Sequence, residues 1–279
     1  MPEQRVRTAV VPVAGRGSRM GPLTSVVPKE LFPLGRLPVL HHVVAELVEA
    51  GIERVVLVTS PGKAALNTYV ERVLVPAECA PAGVEVRLVR QGPVPGNGGA
   101  ILTGAEHADG EPFLVVWGDE VFVGPSRAAA LLECHDVTGL PCLALVEVGD
   151  DDVPRCGIAH VQGPHGPYVR VGGIVEKPAA HEVESRLASV GGVVVDAGLL
   201  AELRRTPPGP DGEVYLSAAL ATHAAGHPVL GCLLASTWHE TGSPEGYARA
   251  FVAVARTEGL LGLPDDLSTV LTERSAPHP

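Results

Sequence analysis

The chain has 279 residues, of which 46% are hydrophobic and 19% charged, a composition typical of a globular protein. Its formal net charge of −11 argues against a nucleic-acid-binding surface, which requires a basic stripe. No apolar run approaches the roughly 20 residues that cross a bilayer, and the polar N-terminus does not look like a signal peptide, so we expect a cytoplasmic protein with no membrane or nucleic-acid partner.

The first half of the chain alternates between strand and helix patterns. The continuous β-branched run at Thr8–Val13 predicts a strand buried on both faces, and later segments repeat the strand–helix pattern. The first helix is expected to end at Gly51. The predicted strands are Thr8–Val13, Arg54–Thr59, Glu85–Val89 and Phe113–Trp117, and the predicted helices are Pro38–Ala50, Ala64–Val75 and Gly98–His107. This alternation requires crossover connections, so the expected fold class is α/β, with a parallel sheet covered by helices on both faces.

The second half is less regular, and short turns join its strand patterns. The predicted strands are Cys142–Val148, Gly157–Val161, Val169–Val175 and Ser189–Val195, and the predicted helices are Ala197–Arg205, Val214–Ala225 and Pro244–Thr257. No repeat or low-complexity linker separates the halves, so we expect one domain over residues 1–259 with a single extended sheet. Residues 260–279 form a proline-punctuated tail whose end is expected to fray.

The cysteines and lysines of the sequence indicate which kinds of binding site the protein has. The five cysteines are odd in number and contain no C-x-x-C pair, which predicts reduced thiols rather than a disulfide framework or a zinc site. We interpret all five as small buried hydrophobic side chains. Only three of the 21 basic residues are lysines, namely Lys29, Lys63 and Lys177. Because lysine is a compact point charge, each one becomes a candidate phosphate ligand.

A glycine-rich turn, Val13–Met20, follows the first strand, and Pro28–Glu30 comes shortly after it. The N–H groups of such a turn converge on one point and can bind phosphate with no Cβ in the way. Arg19 and Lys29 can then neutralise the β- and γ-phosphates of a nucleotide. The alternative is a dinucleotide-binding turn, but its fingerprint has a third glycine where this chain has Met20, and an acidic residue after the second strand.

A second motif, Arg90-Gln91-Gly92, ends the third strand, with further glycines at 96, 98 and 99. The Gln91 amide offers a donor and an acceptor side by side, which matches the edge of a uracil or thymine base. The glycines allow the backbone to lie against the base or ribose. The alternative is an ordinary surface loop that opens a helix at Asn97, and this motif alone does not decide between the two.

Asp119 directly follows a buried strand. The carboxyl ends of parallel strands line the crevice in which such sheets bind ligands. Asp119 can therefore hold Mg²⁺ between phosphates, with Glu240 as the candidate second carboxylate. The alternative is an aspartate that caps the next turn.

The fourth motif is Val175-Glu176-Lys177-Pro178, in which the proline ends a strand. Glu176 can accept hydrogen bonds from sugar hydroxyls, and Lys177 can hold a sugar phosphate. The alternative is an exposed ion pair of little energetic value.

Together and in this order, the four motifs resemble those of bacterial UTP–glucose-1-phosphate uridylyltransferases, and more loosely those of glucose-1-phosphate thymidylyltransferases. The similarity runs from about Thr8 to Arg256. Besides the four motifs, it includes the run Thr206-Pro-Pro-Gly. The segment Gly118–Gly124 looks more like the thymidylyltransferase version.

The resemblance implies a Rossmann-like, mixed but mainly parallel sheet, with a nucleotide-binding half at about residues 8–125 and a sugar-phosphate-binding half at about 140–257. It implies Mg²⁺-dependent in-line attack of a sugar 1-phosphate on a nucleoside triphosphate, with UTP favoured and pyrophosphate released. It also implies a homo-oligomer, a dimer or tetramer. The implied site residues are Ala14, Gly15, Gly17, Ser18, Gln91, Gly96 and Gly98 for the nucleotide, Arg19, Lys29 and Lys177 for catalysis, Gly157, Glu176 and Lys177 for the sugar phosphate, and Asp119 with Glu240 for the metal.

Three departures from the family pattern keep alternatives open. Glu240 stands where the family usually has aspartate, Ser25 where it has lysine, and Glu213–Ala218 where uridylyltransferases read Glu-Ile-Gln-Leu-Thr-Asp. One alternative is an enzyme that uses dTTP or another triphosphate on a non-glucose sugar phosphate. Another is a non-catalytic relative that binds nucleotide sugar and regulates a partner. A cytidylyl- or guanylyltransferase for a non-sugar phosphate ranks last, because it gives no reason for Val-Glu-Lys-Pro.

Overall fold

The computed structural model describes residues 5–75 and 84–261, so Cys79 and the predicted tail from residue 262 onward lie outside the described residues. The helices are α1 (Val39–Glu49), α2 (Ala64–Tyr69), α3 (Gly96–Ala105), α4 (Arg127–Thr138), α5 (Ala197–Arg205), α6 (Leu216–Ala224) and α7 (Pro244–Thr257). The strands are β1 (Thr8–Pro12), β2 (Pro33–Leu34), β3 (Leu37–Pro38), β4 (Arg54–Thr59), β5 (Glu85–Arg90), β6 (Phe113–Val115), β7 (Glu120–Val123), β8 (Cys142–Glu147), β9 (Gly157–His165), β10 (Tyr168–Glu176), β11 (Leu187–Val195), β12 (Leu230–Leu233) and β13 (Thr237–Glu240). Within the described ranges, no helix combines the length and the apolar character needed to span a membrane.

Nine strands form one sheet, in the order β5-β4-β1-β6-β11-β8-β12-β10-β9. The neighbours β5, β4, β1 and β6 are parallel, and their order is that of the first strands of a Rossmann fold. Beyond β6 the sheet becomes mixed, because β11 runs antiparallel to β6 and β8, and β10 runs antiparallel to β12 and β9. The predicted α/β, Rossmann-like class is confirmed, and the second half of the chain extends the first sheet.

Both faces of β1 are buried, as its continuous β-branched sequence predicts. Val10 packs on one face beside Val56, and Val11 packs on the other face with Leu40 of α1. Helix α3 approaches β1 so closely that a Cβ at Gly104 would overlap the Val10 side chain. The helices therefore hold the parallel strands from both sides and fix the edge at which their carboxyl ends meet.

The sequence patterns did not predict α4, β12 or the antiparallel ribbon of β7 and β13. Helix α4 has local signals, since its N-cap Ser126 accepts the Ala129 N–H at 3.1 Å and the helix ends at Gly139 with a φ of 68°. The ribbon has none, because it pairs segments that are far apart in sequence, with Glu120 opposite Glu240. Of the elements that the sequence patterns did not predict, the ribbon matters most, because it carries Glu120 and Glu240.

Three predicted helices differ from the observed ones by two or more residues at a boundary. The helix predicted over Gly98–His107 spans Gly96–Ala105. The helix predicted over Ala64–Val75 is α-helical only to Tyr69 and then continues as a π-helix. The helix predicted from Val214 begins at Leu216, because the Val214 carbonyl accepts the Gly98 N–H at 2.9 Å and is not available to the N–H of residue 218. A tertiary hydrogen bond thus sets the start of α6.

Candidate active site

The glycine-rich turn lies at the carboxyl end of β1, on the edge where parallel strands present their ligand-binding loops. Gly17 has a φ of 69°, and a Cβ there would lie 3.3 Å from Lys29 Cδ. Thr24 Oγ1 donates to the Gly17 carbonyl at 3.1 Å, which fixes the turn against the segment that carries Lys29. A Cβ at Gly15 would meet nothing within 4 Å, so the turn is open to a ligand on that side.

Four charged side chains from separate segments converge beside Gly242. Lys29 Nζ donates to Asp119 Oδ2. A Cβ on Gly242 would lie 3.0 Å from Asp119 Oδ2 and equally close to Arg19 Nη2. The same Cβ would lie 3.3 Å from Glu240 Oε2. The structure therefore brings together the two predicted metal ligands and two predicted phosphate-binding cations.

Asp119 and Glu240 are held by the β7–β13 ribbon and by the start of α7. Thr241 donates to the Asp119 carbonyl from both its N–H and its Oγ1, each at 2.8 Å. Glu240 accepts the Gly242 N–H at 3.0 Å and also accepts from the hydroxyl of Ser243, the N-cap of α7. The ribbon and the start of α7 therefore fix the positions of both carboxylates.

Glu120 is a third carboxylate at the site, and the sequence reasoning missed it. Glu120 Oε2 accepts the Gly191 N–H at 2.6 Å. Glu120 and Asp119 both line one cavity of the structure. Burial, reinforced by the neighbouring charge of Asp119, raises the pKa of Glu120 to about 7. A carboxyl with that pKa can exchange protons near neutral pH. The sequence did contain one indication that Glu120 belongs to the site, namely its position directly after Asp119.

The lysine without an assigned role, Lys63, forms a buried ion pair with Glu30. Burial lowers the pKa of Lys63 and raises that of Glu30, because each charged group loses its water. Ser60, three residues before Lys63, donates to the Ala14 carbonyl at 3.2 Å. The segment 60–63 therefore joins the glycine-rich turn to Pro28–Glu30.

A cavity of about 660 Å³, distinct from the one beside Asp119, borders the glycine-rich turn. Its lining includes Ala14, Arg16, Ser18, Pro28 and Lys63. The predicted nucleotide ligands Ala14 and Ser18 thus face an open volume beside the turn.

Gln91 is tied into its own loop. Its Nε2 donates to the carbonyls of Val94 at 3.0 Å and Gly96 at 3.1 Å. A Cβ at Gly96 would lie 2.5 Å from the Val214 carbonyl oxygen, and a Cβ at Gly98 would lie 2.7 Å from Val214 Cγ1. Packing against Val214 therefore requires both glycines whatever binds nearby. The base-reading role of Gln91 stays a prediction.

The predicted sugar-phosphate ligands lie together where β9 begins and β10 ends. Gly157 pairs with Glu176 across the two strands, and a Cβ at Gly157 would lie 3.4 Å from Glu176 Oε2. Lys177 is exposed and has a φ of 47°, a rare backbone angle outside glycine. Its N–H donates to the Cys156 carbonyl at 2.9 Å. Cys156 lines the same cavity as Asp119, so the three predicted ligands lie next to a residue of the cavity lining.

The cavity beside Asp119 has a volume of about 570 Å³, within the range of small-molecule sites. Its lining includes Arg19, Asp119, Glu120, Cys156 and Glu240. It also includes Arg155 and Arg249, which the sequence reasoning missed. Arg155 Nη2 lies 3.8 Å from Glu240 Oε1, so it adds positive charge beside the two candidate metal ligands.

Known proteins are similar to this chain over nearly its whole length. The family model described as nucleotidyl transferase matches residues 8–257. The UTP–glucose-1-phosphate uridylyltransferase of Escherichia coli strain K12 is 32% identical, over 92% of this chain and 93% of its own. That of Klebsiella pneumoniae is 33% identical, over 88% of this chain and 90% of its own. The Bacillus subtilis enzyme YngB, which carries the same name, is 29% identical, over 88% and 89% of the two chains.

Solved structures agree with the sequence comparisons. A UDP-glucose pyrophosphorylase complexed with UDP-glucose superposes with a TM-score of 0.82 at 27% identity, covering 90% of this chain and 99% of that chain. A UTP-bound enzyme from Acinetobacter baumannii has a TM-score of 0.80 at 27% identity, covering 96% and 98%. The resemblance inferred from the motifs is thereby confirmed, and the chain belongs to the nucleotidyl transferase family, related within it to the bacterial UTP–glucose-1-phosphate uridylyltransferases.

Proposed function

We propose that this protein is a sugar-1-phosphate nucleotidyltransferase that transfers the uridylyl group of UTP to a hexose 1-phosphate. A phosphate oxygen of the sugar phosphate attacks the α-phosphorus of UTP, and a new P–O bond forms. The bond from the α-phosphorus to the α–β bridging oxygen breaks, and pyrophosphate leaves with its electron pair. The observation that carries this proposal is the convergence of Arg19, Lys29, Asp119 and Glu240 beside Gly242. The names of the relatives support UTP and a glucose-like acceptor.

The residues beside Gly242 fit a divalent cation. Asp119 and Glu240 present carboxylate oxygens around a position that a Cβ would fill, and carboxylates are ligands that Mg²⁺ prefers. When bound, Mg²⁺ would supply charge neutralisation at the phosphates. Lys29, already hydrogen-bonded to Asp119, stands close enough to this position to donate to a phosphate oxygen.

The remaining roles follow from charge and position, on which this chemistry mainly depends. The N–H groups of the glycine-rich turn, with Arg19 and Lys29, would hold the triphosphate and stabilise the leaving pyrophosphate. Lys177 would hold the sugar phosphate, and Glu176 would accept hydrogen bonds from sugar hydroxyls. Gln91 would read the base. We also propose a cytoplasmic homo-oligomer, on the family resemblance alone.

The acceptor is a hexose 1-phosphate or an analogue, and the segment before α6 argues for testing sugars other than glucose. Tyr215 donates from its hydroxyl to Asp211, and this hydrogen bond raises the pKa of Tyr215 to about 12. The next residue, Leu216, donates its N–H to Asn97 Oδ1 at 2.9 Å. Tyr215 therefore braces a loop where uridylyltransferases carry a glutamine.

The test is pyrophosphate release with Mg²⁺ across UTP, dTTP, CTP, GTP and ATP, each against a panel of sugar 1-phosphates. We expect turnover with UTP and one hexose 1-phosphate. We also expect Asp119→Asn to reduce that turnover by about 100-fold or more. The matched control is Asp150→Asn, which removes an exposed carboxylate that pairs with Arg186 at 2.6 Å.

One of three results would overturn the proposal, and the other two would correct a part of it. Near-normal turnover of the Asp119→Asn variant would remove that residue from the reaction. Absence of turnover across the panel, in folded protein that still binds UTP by calorimetry, would favour the non-catalytic alternative. Turnover with dTTP alone would keep the reaction and correct the nucleotide.

A further inference from the structure

Three thiols that play no part in the proposed reaction meet in the core. Cys134 on α4, Cys142 on β8 and Cys232 on β12 have sulfur atoms that all lie within 4.8 Å of one another. Their residues are 0%, 0% and 4% exposed. Of the four cysteines in the described ranges, only Cys156 lies elsewhere. Three of these four cysteines, each on a different element, meet at one point. Packing of small side chains does not by itself require such a cluster.

The spacing of these sulfurs suits a single metal ion. A metal–thiolate bond is about 2.3 Å long, so three sulfurs around one ion are about 4.0 Å apart. Sulfurs within 4.8 Å of one another need to move inward by at most about 0.5 Å each. Rotation of cysteine side chains supplies such shifts without moving the backbone.

The donor set selects the kind of ion. The group consists of sulfur alone, and thiolate ligands select soft ions such as Cu(I) over hard, oxygen-preferring ions. Structural Zn²⁺ sites are almost always four-coordinate, whereas this group has three ligands. We propose that Cys134, Cys142 and Cys232 form a three-sulfur site for a soft monovalent metal ion of the Cu(I) type.

Binding must displace protons from the thiols. Each S–H bond that gives way to a Cu–S bond releases one proton to solvent, and copper stays in the Cu(I) state. Affinity is therefore expected to rise with pH.

The thiol cluster is separate from the candidate active site. Strand β8 carries Cys142 at its first residue, and its last two residues, Val146 and Glu147, line the cavity. Strand β12 runs parallel to β8, and Leu234, just beyond its end, also lines the cavity. The proposed ion would thus cross-link α4, β8 and β12, and none of its three ligands lines the cavity.

The experiment is an anaerobic titration of the full chain with Cu(I) in competition with a chromophoric Cu(I) chelator. A Cys79→Ser background removes the cysteine outside the described residues. We expect one tight equivalent per chain, with at least a tenfold loss of affinity in Cys134→Ala, Cys142→Ala and Cys232→Ala. Cys156→Ser is the matched control and should keep the equivalent.

X-ray absorption on the copper-loaded protein checks the site without relying on the stability of any variant. We expect sulfur neighbours only, at about 2.3 Å. Absence of a tight equivalent in folded protein would overturn the proposal. So would nitrogen or oxygen ligation, or an equivalent that only Cys156→Ser removes.

Discussion

Lys63 Nζ donates to both carboxylate oxygens of Glu30, at 2.6 and 2.8 Å, while the two residues are only 6% and 2% exposed. Glu30 directly follows Lys29, the lysine that reaches Asp119. A buried ion pair therefore anchors the backbone on which a predicted catalytic cation stands.

Replacing Lys63 with methionine leaves Glu30 buried without its partner. We expect a loss of about 3–5 kcal/mol in the free energy of unfolding, because an unpaired buried charge is costly. Denaturant unfolding measures this loss. The control is Arg205→Met, which breaks an exposed pair with Glu202 and should cost about 1 kcal/mol or less. A Lys63→Met variant as mild as Arg205→Met would contradict the prediction, and adding Glu30→Met should restore much of the loss.

Replacing Gly242 with alanine tests the convergence of charges directly. The new methyl group would lie 3.0 Å from Asp119 Oδ2 and Arg19 Nη2, so at least one of them must move. We expect turnover to fall by about 100-fold, because small displacements at a reacting centre are that costly. The control is Gly226→Ala, where a Cβ would meet nothing within 4 Å. Pyrophosphate release by both variants gives the comparison, and equal rates would argue against this point as the site of reaction.

Replacing Gln91 with alanine tests the base-reading role. If Gln91 reads uracil, the ratio of kcat/KM for UTP over CTP should fall by about tenfold, equivalent to about 1.4 kcal/mol. Thr103→Ala is the control, since Thr103 Oγ1 also supports this loop by accepting the Gly92 N–H at 3.0 Å. That variant should change both nucleotides alike. An unchanged ratio in Gln91→Ala would assign Gln91 to loop structure alone.

His223 predicts how stability depends on pH. Burial lowers the pKa of this histidine on α6, and the stacked ring of His227 lowers it further, despite the opposing charge of Asp196. The unfolded chain therefore binds a proton more readily, so stability should fall as pH drops below about 6.5. Replacing His223 with asparagine should weaken this dependence between pH 7 and 5 in denaturant unfolding. The exposed His181→Asn variant should not, and identical pH profiles for wild type and His223→Asn would refute the assignment.

The parts of the site predicted from sequence are those with local signals. The glycine-rich turn follows a run of β-branched residues, and Asp119 follows another, so the carboxyl edge of the sheet could be predicted from short segments. Glu240 was predicted as a metal ligand from its position in the family pattern. The structure confirms the fold class and brings these residues together, whereas their roles stay predictions.

The parts that were missed depend on contacts between distant segments. Nothing local shows that Lys63 pairs with Glu30, or that the segment at Glu240 forms a ribbon with the segment at Glu120. The raised pKa of Glu120 likewise comes from burial that only the assembled fold creates. Helix α4 is the exception, because Ser126 and Gly139 mark both its ends in the sequence.

The scarcity of lysine makes the molecule suitable for selective chemical labelling. The whole chain has three lysines, and the side chains of Lys29 and Lys63 are only 12% and 7% exposed and held in ion pairs. Lys177 is exposed, and its N–H donates to the carbonyl of Cys156, a residue of the cavity lining. An amine-acylating dye should therefore attach to Lys177 in preference to the other two, with the N-terminal amine as the competing site. A fluorophore placed there would stand beside the expected acceptor position and could report occupancy as a change in emission.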